Sequence, residues 1–233
     1  MKAHIDMVHK KNKKPVTANK FLIFLSQAYN LALDLELEGI TDNPVSKVKQ
    51  LEENNARERF ITKREAKRLI AAVNESHNPN LKYIVPFLLL TGARRGEVLK
   101  AKWSDINLNQ NLLTIPISKN GKKRVLPISQ SIRELIAIIP NNSKYPFPSP
   151  KTGLPQLDFY KAWNKARIKA NLKDVRLHDL RHSFASALVN RGRSLYQVQT
   201  LLGHSNIKMT QRYAHLSNES LMKAMSCAGK LLE

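Results

Sequence analysis

The sequence predicts a mostly helical fold carrying one small antiparallel β-sheet, an α+β class. Apolar residues recur at helical spacing over most of the 233 residues, and the pattern changes to that of strands only after Trp103. There "NLLTIPIS" and "KKRVLPIS" flank "KNGK", and an Asn-Gly pair between two β-rich runs signals a hairpin. A hydrophobic content of 42% is enough to fill the cores such a fold needs.

The elements follow in order. "KKNKKP" (10–15) is a short basic linker. "TANKFLIFLSQAYNLALDLEL" repeats apolar residues from Thr17 to Leu37, and Gly39 supplies a plausible C-cap. "ITDNPVSKVKQLEENNARERF" reads as a turn and a polar connector, which divides the chain into residues 1–56 and 57–233. Thr62 and Glu65 in "TKRE" have the spacing of a capping box, so a helix runs from there to about Val73. A buried helix covers 81–91. Beyond Ser129 helices are predicted near 131–139, 156–170, 178–191, 194–202, 206–213 and 217–231, with "YPFPSPKTGLP" (145–155) as one long loop. No internal repeat or low-complexity tract interrupts this series.

Charge narrows the function. The chain carries a formal +21 and a sequence pI of about 10.2, which favours a polyanionic partner. Residues 1–56 hold 8 Lys+Arg against 7 Asp+Glu; residues 57–233 hold 31 against 11, so the basic character belongs to the larger part. The longest apolar run, "YIVPFLLL" (83–90), is too short to cross a bilayer, and no cationic amphipathic helix dominates. "MKAHIDMVHKKNKK" lacks the apolar core of a secretory signal, and the single Cys227 can make neither an internal disulfide nor a cysteine cluster for zinc. The expectation is a soluble, cytoplasmic protein that faces nucleic acid.

The chemistry concentrates in short stretches. In "RLHDLRHSFASALVNRG" (176–192), His178, Arg181, His182 and Ala185 fall at i, i+3, i+4 and i+7 on one helix face. A face that holds a guanidinium beside small residues calls for an anion. "TGARRGEV" (91–98) places Arg94 and Arg95 after a glycine turn, with Glu97 three residues past Arg94. Lys119 sits at the mouth of the hairpin, "LLGHSN" presents His204 after Gly203, and "TQRYAHL" offers Tyr213.

Together these resemble the tyrosine recombinases, the phage-type integrases: T-G-x-R-x-x-E, a hairpin lysine, H-x-x-R, L-G-H, and a tyrosine nine residues after that histidine. The resemblance implies a recombinase catalytic domain over 57–233. Residues 1–56 are similar to the end of the family's helical core-binding domain, with one helix of that clamp clear and no further arm-binding domain. It implies a site-specific recombinase that breaks and rejoins double-stranded DNA, integrating or excising a mobile element, with neither metal nor ATP. Arg94 and Arg181 would grip the non-bridging phosphate oxygens in planar forks, and His204 would add a hydrogen bond. Tyr213 would attack to form a 3′-phosphotyrosine, Lys119 would protonate the 5′ oxygen, and His178 would exchange the tyrosine proton. Glu97 would orient an arginine.

A homotetramer on DNA, accessory DNA-bending proteins and a nucleoid-associated location follow from the same resemblance. So does weak site binding by a shortened clamp.

Arg95, Lys122, Lys123 and Arg124 are read as contacts to the DNA backbone, and the lysines around Lys119 raise the prospect of redundancy. His178 and His182 have zinc spacing, but Arg181 between them opposes a cation, so His182 is read as structural. His215 is given no role. The alternative function is a non-catalytic DNA-binding remnant of the fold; a type IB topoisomerase-like enzyme would share the chemistry without needing a specific site.

Overall fold

The computed structural model describes residues 14–53, 59–116, 123–156 and 158–217. The chain divides into two compact units, Met1–Glu58 and Arg59–Glu233.

In the first unit, helix α1 (Pro15–Asp34) starts with proline at its first turn, where a missing N–H costs nothing. Ala18, Asn19 and Leu22 are its buried residues. Asn19 ties it to the connector, donating to the Leu51 carbonyl and the Glu53 carboxylate at 2.8 Å each and accepting from the Leu51 N–H at 2.8 Å. The helix ends before Leu37, and Gly39 does not cap it. Glu36 takes the left-handed conformation (φ +50°) instead, and the Glu36 and Leu37 N–H groups donate back to the Leu33 and Ala32 carbonyls. That is a Schellman stop made without glycine.

The second unit opens with α2 (Lys63–Asn74). The Thr62 hydroxyl accepts from the Glu65 N–H, and the Glu65 carboxylate accepts from the Thr62 N–H, as the capping box requires. Helix α3 (Leu81–Thr91) is buried through Leu81, Ile84, Val85, Phe87 and Leu88, and a short helix α4 (Arg95–Lys100) follows Gly92. Three antiparallel strands come next, in the order β1 (Ile106–Asn107), β2 (Leu112–Ile115), β3 (Arg124–Pro127). Leu113 stands opposite Leu126, and both face inward. β1 is an addition to the predicted hairpin. Its two residues lie in a polar stretch, joined to β2 through Asn111 at φ +55°.

Helices α5 (Gln130–Ala137), α6 (Tyr160–Lys169), α7 (Leu177–Val189), α8 (Leu195–Leu202) and α9 (Lys208–Gln211) complete the unit, with a 3-10 turn over Ala214–Ser217. α6 starts at Tyr160 instead of 156 because Gln156 is committed elsewhere. Its side chain is buried and accepts from Asn80, while its N–H donates to the Phe147 carbonyl. The main core runs from α2 through α6 to Leu180, with Trp163, Phe87 and Phe147 among its largest buried side chains. A second, smaller cluster of Ala185, Val189, Val198, Leu202 and Tyr213 lies between α7 and α8. The predicted helix at 217–231 falls outside the described residues, apart from Ser217 in the 3-10 turn.

Candidate active site

The site forms where α3, α4, β3 and α7 meet the C-terminal end of α8. Gly92 stops α3 in the left-handed region (φ +59°), and a Cβ there would lie 2.3 Å from the Phe184 ring of α7. That close approach brings the Gly92 carbonyl to Arg181, whose Nη1 donates to it at 2.7 Å. Arg181 is only 4% exposed. Its other terminal nitrogen donates to the Leu202 carbonyl at 2.7 Å.

The last carbonyls of a helix have no intrahelical donor and sit at the negative end of its dipole. In α8 they collect arginines. Arg124 donates to Leu201 at 2.6 Å, Arg181 to Leu202, and Arg94 to Gly203 at 3.4 Å. Gly203 is itself left-handed (φ +65°) and lies against the Arg124 side chain. Glu97 braces the same group from α4. Its Oε1 pairs with Arg94 Nη1 at 2.9 Å, while its Oε2 accepts the Arg94 backbone N–H at 2.8 Å and pairs with Arg124 Nη2 at 2.5 Å. Burial alone would raise the pKa of Glu97, but the Arg94 N–H and the Arg124 charge bring it below the usual carboxylate range.

The Tyr213 ring is buried in the α7–α8 cluster at 6% exposure, and its hydroxyl meets His182 Nδ1 at 2.5 Å. Burial pushes the Tyr213 pKa up, against the lowering effect of Arg212 and Arg181. Burial, then the nearby positive groups, lowers His182 to about 4, so its imidazole is neutral near pH 7 and can accept from the hydroxyl. His178 packs edge-on against His182 with ring centroids 4.7 Å apart; partial burial and the Arg181 charge lower its pKa although it keeps an exposed edge. His204 Nδ1 meets the buried Thr210 hydroxyl at 2.8 Å, and burial and the arginines lower its pKa to about 4.

Arg94, Glu97, Arg181, His204 and Tyr213 thus converge as the sequence spacing suggested. Three expectations need correction. Arg124 is not a surface DNA contact: its side chain is 11% exposed and turned into the Glu97 pair. His182, read as a structural residue without a named partner, has its ring against the Tyr213 hydroxyl. His178, read as the tyrosine's proton partner, touches His182 in its place. Arg95 and Lys123 are exposed, while Lys119 and Lys122 lie outside the described residues. Among the described residues, no cluster of His, Cys, Asp and Glu could hold a metal ion, and no helix is long and apolar enough to cross a membrane.

Strand alternation could have revealed Arg124, which shares the inward face of β3 with Leu126. Nothing local pairs His182 with a tyrosine 31 residues away.

Residues 59–220 match the family model described as the phage integrase family. The chain belongs to the phage integrase family. It is 30% identical over 214 residues to the shufflon-specific DNA recombinase of Escherichia coli, covering 90% of this chain and 54% of that one. It is 32% identical over 222 residues to the integrase of Haemophilus phage HP1, covering 94% and 61%. The solved catalytic domain of the phage HP1 integrase superimposes with a TM-score of 0.61 at 31% identity, covering 73% of this chain and 95% of that domain. This integrase-family chain therefore spans a little over half to about three fifths of these two relatives.

Proposed function

We propose that this chain acts as a tyrosine-type site-specific recombinase, cutting and rejoining double-stranded DNA of a mobile element without metal or ATP. The observation that carries the reading is the Tyr213 hydroxyl held against a neutral imidazole, close to the charge of the buried Arg181. A basic surface accounts for binding DNA; a buried, hydrogen-bonded tyrosine at the edge of an arginine pocket calls for chemistry.

In this reading the scissile phosphate enters between Arg94 and Arg181, and its oxygens take over guanidinium donors that the α8 carbonyls hold in the free chain. With Thr210 donating to His204 Nδ1, the ring proton sits on Nε2 and donates to the same phosphate. Tyr213 Oη attacks phosphorus as its proton passes to His182, whose basicity rises once the dianionic transition state is near. The P–O5′ bond breaks, the 5′ oxygen takes a proton from Lys119, and the strand remains as a 3′-phosphotyrosine. A 5′-hydroxyl from another strand reverses the step and restores the phosphodiester, so the bond energy is conserved. His178 supports the ring of His182. Exchange of strands requires several copies on one DNA, and a homotetramer with DNA-bending accessories fits that need.

The test is incubation at low salt with nicked DNA spanning the element's ends. A denaturant-resistant protein–DNA adduct is expected for the wild type and none for Tyr213→Phe. Salt-sensitive binding with no adduct from either chain would favour a DNA-binding remnant.

A further inference from the structure

Arg124 enters the pocket from the sheet, and the proposed chemistry gives it no substrate atom to touch. One guanidinium nonetheless engages two groups on which that chemistry depends. Nη2 holds Glu97 Oε2 at 2.5 Å, and Nη1 holds the Leu201 carbonyl at 2.6 Å. Glu97 in turn carries Arg94 on its other oxygen, at 2.9 Å. The stem of Arg124 also fills the space beside Gly203, where a Cβ would come within 2.7 Å of its Cδ. β3 thereby touches both α4 and the end of α8 that precedes His204. Lysine has the charge for one of these bonds but lacks the planar fork that spans both.

We propose that Arg124 is a positioning residue: acting through the shared Glu97 carboxylate and the end of α8, it fixes Arg94 in the orientation that receives the phosphate. The inference rests on the recombinase reading for its consequence in catalysis, though its structural half stands apart. A side chain serving only as structural glue predicts lost stability that adds to any loss at Arg94. A positioning role predicts that the two losses overlap.

Two measurements on the full chain test this. The first is the side-chain spectrum of ¹⁵N-labelled arginine in the DNA-free protein, with Arg94 assigned through Arg94→Lys. In Arg124→Gln the Arg94 terminal nitrogens should lose the restricted rotation that Glu97 imposes, while the thermal midpoint confirms folding. The second is single-turnover cleavage of nicked DNA. Arg124→Gln is expected to cleave about 100-fold more slowly, as a misplaced positioning contact does. Arg124→Lys should recover part of that loss, and Arg94→Ala with Arg124→Gln should be no slower than Arg94→Ala alone.

Unchanged Arg94 signals in Arg124→Gln, or a double variant that loses the product of the two single effects, would overturn the inference. If the wild type forms no adduct, the recombinase reading fails, and the Arg94 signals still decide what Arg124 holds.

Discussion

At the scale of single residues, the contact between His182 and Tyr213 has the most direct consequences. Replacing His182 with Gln removes the acceptor aligned with the hydroxyl. Cleavage should fall roughly 100-fold or more, the range of a lost proton-transfer partner, with DNA affinity within about twofold of wild type. Paired binding and single-turnover assays check this. Protonation should act in the same direction. His182 and His204 are both lowered to about 4 in the folded chain, against an ordinary value near 6.5. Between these values the unfolded chain binds more protons, so stability is complete above about pH 6.5 and is lost progressively as pH falls toward 4. Thermal unfolding from pH 7 to pH 4.5 should show this decline, and His182→Gln should make it shallower. Arg181, Glu97 and His204 were legible in the sequence because motif spacing fixes them locally. The partner of Tyr213 was not, because tertiary packing in the cluster that includes Ala185 and Leu202 brings His182 and the tyrosine together across 31 residues.

At the scale of elements, the site depends on how helices stop. α3 ends at Gly92 because a left-handed residue is needed there and a side chain would strike Phe184. Gly92→Ala should therefore cost more than about 1 kcal/mol of stability, and Gly92→Ala with Phe184→Leu should recover part of it. Denaturant unfolding measures both. Thr62→Ala removes one half of the capping box of α2 and should cost about 1 kcal/mol without slowing cleavage. The box was readable in "TKRE", and α3 was readable to its last residue, since cap chemistry and an apolar run are local signals. The start of α6 was not, because a buried hydrogen bond between Asn80 and Gln156 decides it across 76 residues. Gly39 misled for a related reason: it is a good cap, but the chain had already turned at Glu36.

At the scale of the whole molecule, the charge that suggested a nucleic-acid partner resolves into two kinds of cation. Arg95 and Lys123 are exposed, whereas Arg94, Arg124 and Arg181 are drawn inward onto Glu97 and the end of α8. Composition counts both kinds alike. Salt dependence should separate them: Arg95→Gln and Lys123→Gln should each reduce the slope of log K against log salt by about 1, and Arg124→Gln should leave it unchanged.

If Tyr213 is the nucleophile, its covalent product on DNA can be trapped and sequenced. Adduct formed on nicked DNA is digested with nuclease and trypsin, and the peptides are read by mass spectrometry. The expected product is a nucleotide joined through its 3′ phosphate to the tryptic peptide that begins at Tyr213, "YAHLSNESLMK". A nucleotide on any other peptide, or one joined through a 5′ phosphate, would contradict that role for Tyr213.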